Sequence, residues 1–379
     1  MKSNWKEERL GSLVRFSSGG TPNKNNPDYW NGTIPWISAK NMKSEVIETS
    51  DLSITEEGLI HGSKIAPKGS LLLLVRGSGL FNGIPVCYLE KAVAYNQDVK
   101  CIESTSELEN KYLFYWLKAN SGYLRKKIEF TSIGAGKFDT RFLSNLVVRF
   151  PDKVTRKKII DIADNISDRI NINRKINENL LQQASTIYKA WFDDFIPFDG
   201  ICPAEWEQGV LSDIADITSG KRPPMKSAEK TSIATVPLVG AASVMGFTSE
   251  ANHTDKILVT GRVGTHGVVQ RFNTPCWTSD NTLVITSAFY EYTYQILQRI
   301  DYHAMNRGST QPLITQGDMN KVVILIPDRQ TLDDFEALVG LLMSQYEANL
   351  LENTKLAKLR DALLPKLMSG ELDVSDLDI

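Results

Sequence analysis

"WKEERLGSLVRFSSGGTP", residues 5–22, lies without a gap over "WEQGVLSDIADITSGKRP", residues 206–223. Both read W-x4-L-x2-[LI]-x2-[FI]-[ST]-S-G-x2-P. Such self-similarity decides the fold, because a frame written twice means two like domains. Three more blocks follow in the same order. "IPWISA" (34–39) falls on "VPLVGA" (236–241), "LLLVRGSGLFNG" (72–83) on "KILVTGRVGTHG" (256–267), and "LVVRFPD" (146–152) on "VVILIPD" (322–328). Between the last two, Asn96-Gln97 falls on Asp280-Asn281. The spacing between partners shrinks along the chain, so the second copy has the shorter loops.

After each Pro-Asp a long helical pattern begins. Ile159, Ile162, Ile166, Ile170, Asn173, Ile176, Leu180, Ala184, Ile187 and Trp191 recur at steps of three and four, with Phe192 beside the last. Their partners in the second copy are Phe335, Leu338, Leu342, Tyr346, Asn349, Glu352, Leu356, Arg360, Leu363 and Leu367. Where Glu352 and Arg360 break the row, Asn353 and Leu359 stand ready to take the seam position. This is a coiled-coil seam, and Asn173 and Asn349 fall at equivalent points, where a buried polar pair would set helix register. A helix of roughly 37 residues spans about 55 Å, too long to bury on one small domain. Before each helix, short strands dominate ("SLLLLV", "IPVCYL", "KILVT", "TLVIT"), with one helix per copy at 110–120 and 290–300. The fold class read from these patterns is α+β. Two similar strand-rich α/β modules are separated by two long antiparallel coiled-coil helices, with pseudo-twofold symmetry. The segments are 1–152 (module 1), 153–196 (first long helix), 197–328 (module 2) and 329–379 (second long helix and tail).

Composition narrows the function. No apolar run approaches the roughly 18 residues of a membrane span, and the start of the chain has no signal-peptide stretch. Cys87, Cys101, Cys202 and Cys276 are scattered, which argues against a disulfide framework or a zinc site and for the cytoplasm. The net charge is −2. A protein that grips nucleic acid alone carries a basic excess, so a DNA-binding reading needs partners to share the phosphate contacts.

Catalytic signatures are missing. "NNPDYW" (25–30) approaches the N-P-P-Y loop of adenine methyltransferases, but Asp28 replaces the second proline and no F-x-G-x-G follows. Asn26, Pro27 and Tyr29 are expected to build a turn. "GAGK" (134–137) lacks the upstream glycine of a phosphate loop. His61, His253, His266 and His303 have no metal-ligand spacing, so neither a catalytic nor a metal site is read.

The candidates for binding are polar and basic residues in the turns. In the first copy these are Ser18, Gly19, Gly20, Thr21, Lys24, Lys40, Arg76 and Lys137. In the second they are Ser219, Lys221, Arg222, Arg262, Thr265, His266, Arg271, Arg307, Ser309, Thr310 and Gln311. Such side chains read base edges and hold phosphates, and here they recur at matching places on loops of different sequence. Two readers of two different short sequences need that combination.

The closing "LAKLRDALLPKLMSGEL" (356–372) resembles the C-terminus of DNA specificity subunits of Type I restriction–modification systems. "ASTIYKAWFDDF" (184–195) is similar to their central region, and "RGSTQPLITQGDMNKVVILIPD" (307–328) to the end of their target recognition domains. "FSSGGTP", "NPDYWNGTIPWISAKNM" and "VAYNQDV" fit the start and middle of such a domain, so the resemblance spans essentially the whole chain. It departs at "SIGAGKF", which stands where the second copy has "GSTQPLI". The resemblance implies a non-catalytic subunit in which each module, a target recognition domain, reads one half of a bipartite DNA target. The helices would dock two adenine-N6 methylation subunits through Ile166, Ile170, Asn173, Leu180, Trp191, Phe192, Leu342, Tyr346, Asn349, Leu356 and Leu363. It implies no cofactor in this chain. S-adenosylmethionine is expected on the methylation subunits, and ATP and Mg on the restriction and translocase subunits. Two alternatives stay open: a specificity chain for a combined methyltransferase–nuclease, and a two-module scaffold that does not bind DNA.

Overall fold

The computed structural model describes residues 5–81, 83–130, 135–305 and 313–377. It divides into two compact units, 1–172 with 352–379 and 173–351. Each unit joins one module to part of both long helices, so the boundary falls inside the helices and not at their ends.

In unit 1 the frame strands are β1 (Val14–Ser18), β2 (Trp30–Ile37), β3 (Leu71–Leu74), β4 (Val86–Leu89), β5 (Val93–Tyr95) and β6 (Val99–Ser104). They are followed by the helices α1 (Asn110–Ala119) and α2 (Lys153–Tyr188). One five-stranded sheet runs β1–β6–β3–β4 and ends on the short strand Val46–Ile47, with Leu71 to Leu74 buried on both faces, as a continuous apolar run demands. In a second sheet β2 pairs in parallel with β5. Lys6–Arg9 and Val147–Phe150 close the module as an antiparallel pair.

Unit 2 repeats this with β7 (Ala215–Ser219), β8 (Val236–Val239), β9 (Ile257–Gly261), β10 (Gln270–Phe272), β11 (Trp277–Thr278) and β12 (Thr282–Ser287). The helices that follow in the chain are α3 (Tyr290–Arg299) and α4 (Arg329–Ser369), the latter belonging to unit 1 from Glu352 on. The sheet order β7–β12–β9–β10, the parallel pair β8–β11 and the closing pair Glu207–Val210 with Val323–Ile326 match their counterparts, except that among the described residues this sheet ends at β10, with no strand in the place of Val46–Ile47.

The hydrogen-bond ladders correct the overlay drawn from sequence. Asn96 N–H donates to Ile37 O as Ser279 N–H donates to Val239 O, so Asn96 corresponds to Ser279 and not to Asp280. Val75 N–H meets Asp98 O as Arg262 N–H meets Asn281 O. Phe138 N–H then meets Val75 O as Ile314 N–H meets Arg262 O. Arg262 is therefore the counterpart of Val75, three residues away from the position that similar letters indicated. Register is set by ladder and facing residues, which a short apolar run does not encode.

The Pro-Asp signals cap the long helices. Asp152 accepts from the backbones of Val154 and Thr155, and Asp328 from Thr331 N and Oγ1. These bonds, led by Thr155 N–H and the Thr331 hydroxyl respectively, hold both carboxyls below the usual range. Within each unit the segments of α2 and α4 run antiparallel. In unit 1 Arg169 pairs with Glu352 at 3.0 Å and Asn353 Nδ2 donates to Ile170 O at 3.4 Å. In unit 2 Asn177 Nδ2 donates to Tyr346 O at 3.1 Å, and Phe335 meets the rings of Tyr188, Trp191 and Phe192. The Asn353 and Asn177 bonds are repeat equivalents.

The seam keeps most of the expected row. Ile170, Asn173, Leu180, Phe192 and Asn349 are buried, and Ile166, Trp191, Leu342, Tyr346, Leu356 and Leu363 are half-buried. Three positions differ. Leu338 is exposed while Val339 beside it is buried. Ile176 points to solvent and Asn177 turns inward, because the step after Asn173 is four residues. Leu359 is exposed while Arg360 is 7% exposed: its charge is met by Glu45, so its stem can pack inward.

Candidate nucleic-acid interface

In unit 1 the ends of β1, β2, β3 and β5 and the start of β6 meet at one edge, because β6 runs antiparallel to β1 and β3 while β2 and β5 run parallel. The loops that leave those ends are therefore neighbours. Gly20 N–H donates to Tyr95 O at 2.9 Å, Thr21 Oγ1 donates to Gln97 at 2.8 Å, and Arg76 N–H donates to Asp98 O at 3.2 Å. Ser18 to Thr21, Arg76 and Lys137 are thus brought together. Arg76 and Lys137 sit directly opposite each other on a small antiparallel ribbon, both exposed, with Glu129 next in the row. Two like charges in facing positions repel, and a phosphate laid across them removes that cost. Lys24 and Lys40 are exposed on the loops after β1 and β2.

Unit 2 builds the same edge with other side chains. Gly220 N–H donates to Thr282 O at 3.1 Å and Lys221 N–H to Thr278 O at 2.9 Å. Ser219 ends β7 at this edge, and Lys221, Arg222 and Thr265 are exposed. Arg262 is tied by its backbone to Asn281 and Ile314. His266 Nδ1 lies 3.3 Å from Gly261 O, which can only accept, so that nitrogen carries the proton. At the place of the Arg76–Lys137 pair, unit 2 has Val263 bridged to Leu313. One edge presents paired cations where the other presents apolar side chains.

Several candidates have a structural role. A Cβ on Gly19 would lie 1.9 Å from Tyr95 O and one on Gly20 2.3 Å from Gly62 O, so both glycines serve backbone packing. Ser18 Oγ accepts from Lys100. Arg271, read from sequence as a turn residue, is buried instead: Glu291 holds it at 2.6 Å and Glu347 at 3.1 Å. Arg307, Ser309, Thr310 and Gln311 lie outside the described residues. Sequence reasoning missed that Trp36 and Trp277 both donate to the first loop, to Gly20 O and Lys221 O, from different strands. The acceptor positions correspond, but the indole stands on β2 in unit 1 and, in unit 2, on β11, the strand paired with β8, the counterpart of β2.

"NNPDYW" forms a turn. Asn26 Oδ1 accepts from Asp28 N–H at 3.1 Å and caps the single 3-10 turn Pro27–Tyr29. Tyr29 stacks on His61 at 5.5 Å, so its face is occupied within the fold. Among the described residues no helix is long and apolar enough to cross a membrane.

The family model for the Type I restriction modification DNA specificity domain matches residues 2–182 and 203–360. The Type I restriction enzyme MjaIX specificity subunit of Methanocaldococcus jannaschii is 27% identical, over 99% of this chain and 95% of its own length. The HindI specificity subunit of Haemophilus influenzae is 22% identical, over 98% of this chain and 100% of its own. A crystal structure of a Type I restriction–modification system S subunit from M. genitalium shares the fold, with a TM-score of 0.56 at 18% identity and 99% of each chain covered. The domain matched twice is also the frame that the two units build twice. The chain belongs to the Type I restriction–modification DNA specificity family.

Proposed function

We propose that this chain is the sequence-reading subunit of a Type I restriction–modification complex, working in the cytoplasm without catalytic chemistry of its own. Each module reads one half of a split DNA target at the loop edge described above. The long helices dock two adenine-N6 methylation subunits, and restriction and translocase subunits complete the complex. Methyl transfer draws on S-adenosylmethionine held by the methylation subunits, and translocation on ATP and Mg held by the restriction subunits. The observation that carries this reading is the convergence of polar loops at the same edge of both modules, on a common frame and with unlike side chains. The net charge of −2 supports shared DNA contact, since phosphate neutralisation provides most non-specific affinity.

A gel-shift of the purified full chain on a pool of random duplexes, with and without a methylation subunit, tests it. The expected outcome is weak retention by the chain alone and selective retention of a split motif by the assembly. No selection in either lane would favour a scaffold, and selection with a fused methyltransferase–nuclease alone would change the partners but not the DNA role.

A further inference from the structure

Each module is fastened to the helical segments of its own unit by ion pairs whose arginines, with Glu291, are buried and whose other members are half-buried, and among the described residues the two sets are unlike. In unit 1 Arg156 of α2 is 1% exposed and donates from Nε to Glu109 at 2.7 Å. Its remaining nitrogens reach the carbonyls of Pro151 and Glu107. Lys111 of α1 reaches Asp164 of α2 at 3.0 Å while lying 4.5 Å from the centroid of Tyr88 on β4. Arg360 of α4 pairs with Glu45, which also holds Lys118. Burial works against the Glu45 charge, but Lys118 and then Arg360 outweigh it and keep its carboxyl below the usual range.

In unit 2 Arg271 of β10 lies between the rings of Tyr290 and Tyr294 and is clamped by Glu291 of α3 and Glu347 of α4. Glu336 of α4 accepts the N–H groups of Glu291 and Tyr292 at 3.1 and 2.8 Å, closing the first turn of α3.

The overlay of the two units is fixed by equivalent bonds. Tyr112 Oη donates to Arg149 O as Tyr292 Oη donates to Leu325 O, and the Asn353 and Asn177 seam bonds align the long helices. On that overlay every helix charge above meets an uncharged residue. Arg156 meets Leu332, Asp164 meets Gly340, Arg360 meets Ala184, Glu336 meets Ile160 and Glu347 meets Asn171. Glu109 meets Phe289, and on the module helices the sign reverses, Lys111 against Glu291.

We propose that these unlike sets key each helical seat to its own module, so that seat 1 accepts module 1 and excludes module 2, and conversely. A buried charge deprived of its partner costs far more than a pair replaced as a whole, so a misplaced module is rejected by what it leaves unpaired. Module 1 on seat 2 would set Glu109 against Leu332 and turn Lys111 toward Gly340. Module 2 on seat 1 would leave Arg271 without Glu347 and the first turn of α3 without Glu336.

The test uses the full chain and thermolysin under native conditions, so its outcome does not depend on DNA reading. Residues 206–327 are replaced by a second copy of 5–151. The second copy is expected to be cut at least about tenfold faster than module 2 of the wild type, because an undocked module opens locally. Adding Leu332→Arg, Gly340→Asp and Ala184→Arg to that chimera should bring the rate back to within about threefold. A chimera as resistant as the wild type overturns the keying, and so does one that the three substitutions fail to protect. A second comparison needs no chimera. Arg156→Leu should expose module 1 about tenfold faster, and Arg156→Leu with Glu109→Phe, which installs the unit 2 pair, should restore protection. Equal rates for the single and double variants overturn it.

Discussion

Asn349 donates from Nδ2 to Oδ1 of Asn177 at 2.8 Å, with both side chains buried in the seam of unit 2. Asn177 passes the bond on to Tyr346 O, and Gln345 donates to Asn349 Oδ1 at 2.7 Å. Asn349→Leu therefore strands the Asn177 oxygen and should cost about 1–3 kcal/mol in urea unfolding of the full chain. Asn177→Leu with Asn349→Leu removes both partners and should recover most of the loss. A double variant less stable than the single would show that the seam needs polarity for its own sake.

Arg76 and Lys137 face each other exposed on the unit 1 ribbon. Replacing either by Ala should not lower the melting temperature, since it relieves the repulsion between them. Each change should lower the salt dependence of DNA binding by the assembled complex by about one in log–log slope. An unchanged slope for both would place the phosphate path elsewhere.

Gly19 is a sequence candidate for DNA contact, but a Cβ there would lie 1.9 Å from Tyr95 O. Gly19→Ala should lower stability by more than about 1 kcal/mol, since backbone must move apart to admit it. Unaltered stability with weakened DNA binding would restore the contact role.

Burial pushes the Glu336 carboxyl up to about 7, against the pull of the Tyr292 and Glu291 N–H bonds, with Glu291 and Arg271 the charges facing it. Its folded value lies above its ordinary 4.5, so between those values the folded chain binds more protons. The contribution is fully present below that window and is lost as pH rises through the folded value. Urea unfolding followed by unit 2 fluorescence should show this decline, at most about 1.4 kcal/mol per pH unit, and Glu336→Gln should flatten it. A slope that persists in the variant would assign it to another group.

If the long helices set the spacer between half-sites, four residues inserted in both α2 and α4 add about 6 Å. Methylation-aware sequencing of a host carrying the altered chain should then report a spacer one or two base pairs longer, at 3.4 Å per base pair. A fixed spacer would contradict a helical ruler.

Where local chemistry is self-sufficient, the sequence was legible. The Pro-Asp signals became the caps at Asp152 and Asp328, since an N-cap needs only its own next three residues. The seam was legible to within one step, with Asn177 in place of Ile176. The loop overlay was not: similar letters set Val75 on Val259, whereas the ladder sets it on Arg262. Arg271 looked like any basic turn residue because its carboxylate partners lie 20 and 76 positions away.

Sequence alone determined that the chain is a duplicated frame with two long amphipathic helices, because repetition and periodicity are properties of order along the chain. Tertiary structure alone decided which charges are buried, which glycines are packing sites and which loops share an edge. Those outcomes depend on groups far apart in sequence meeting at hydrogen-bond distance in a medium that penalises every unpaired charge.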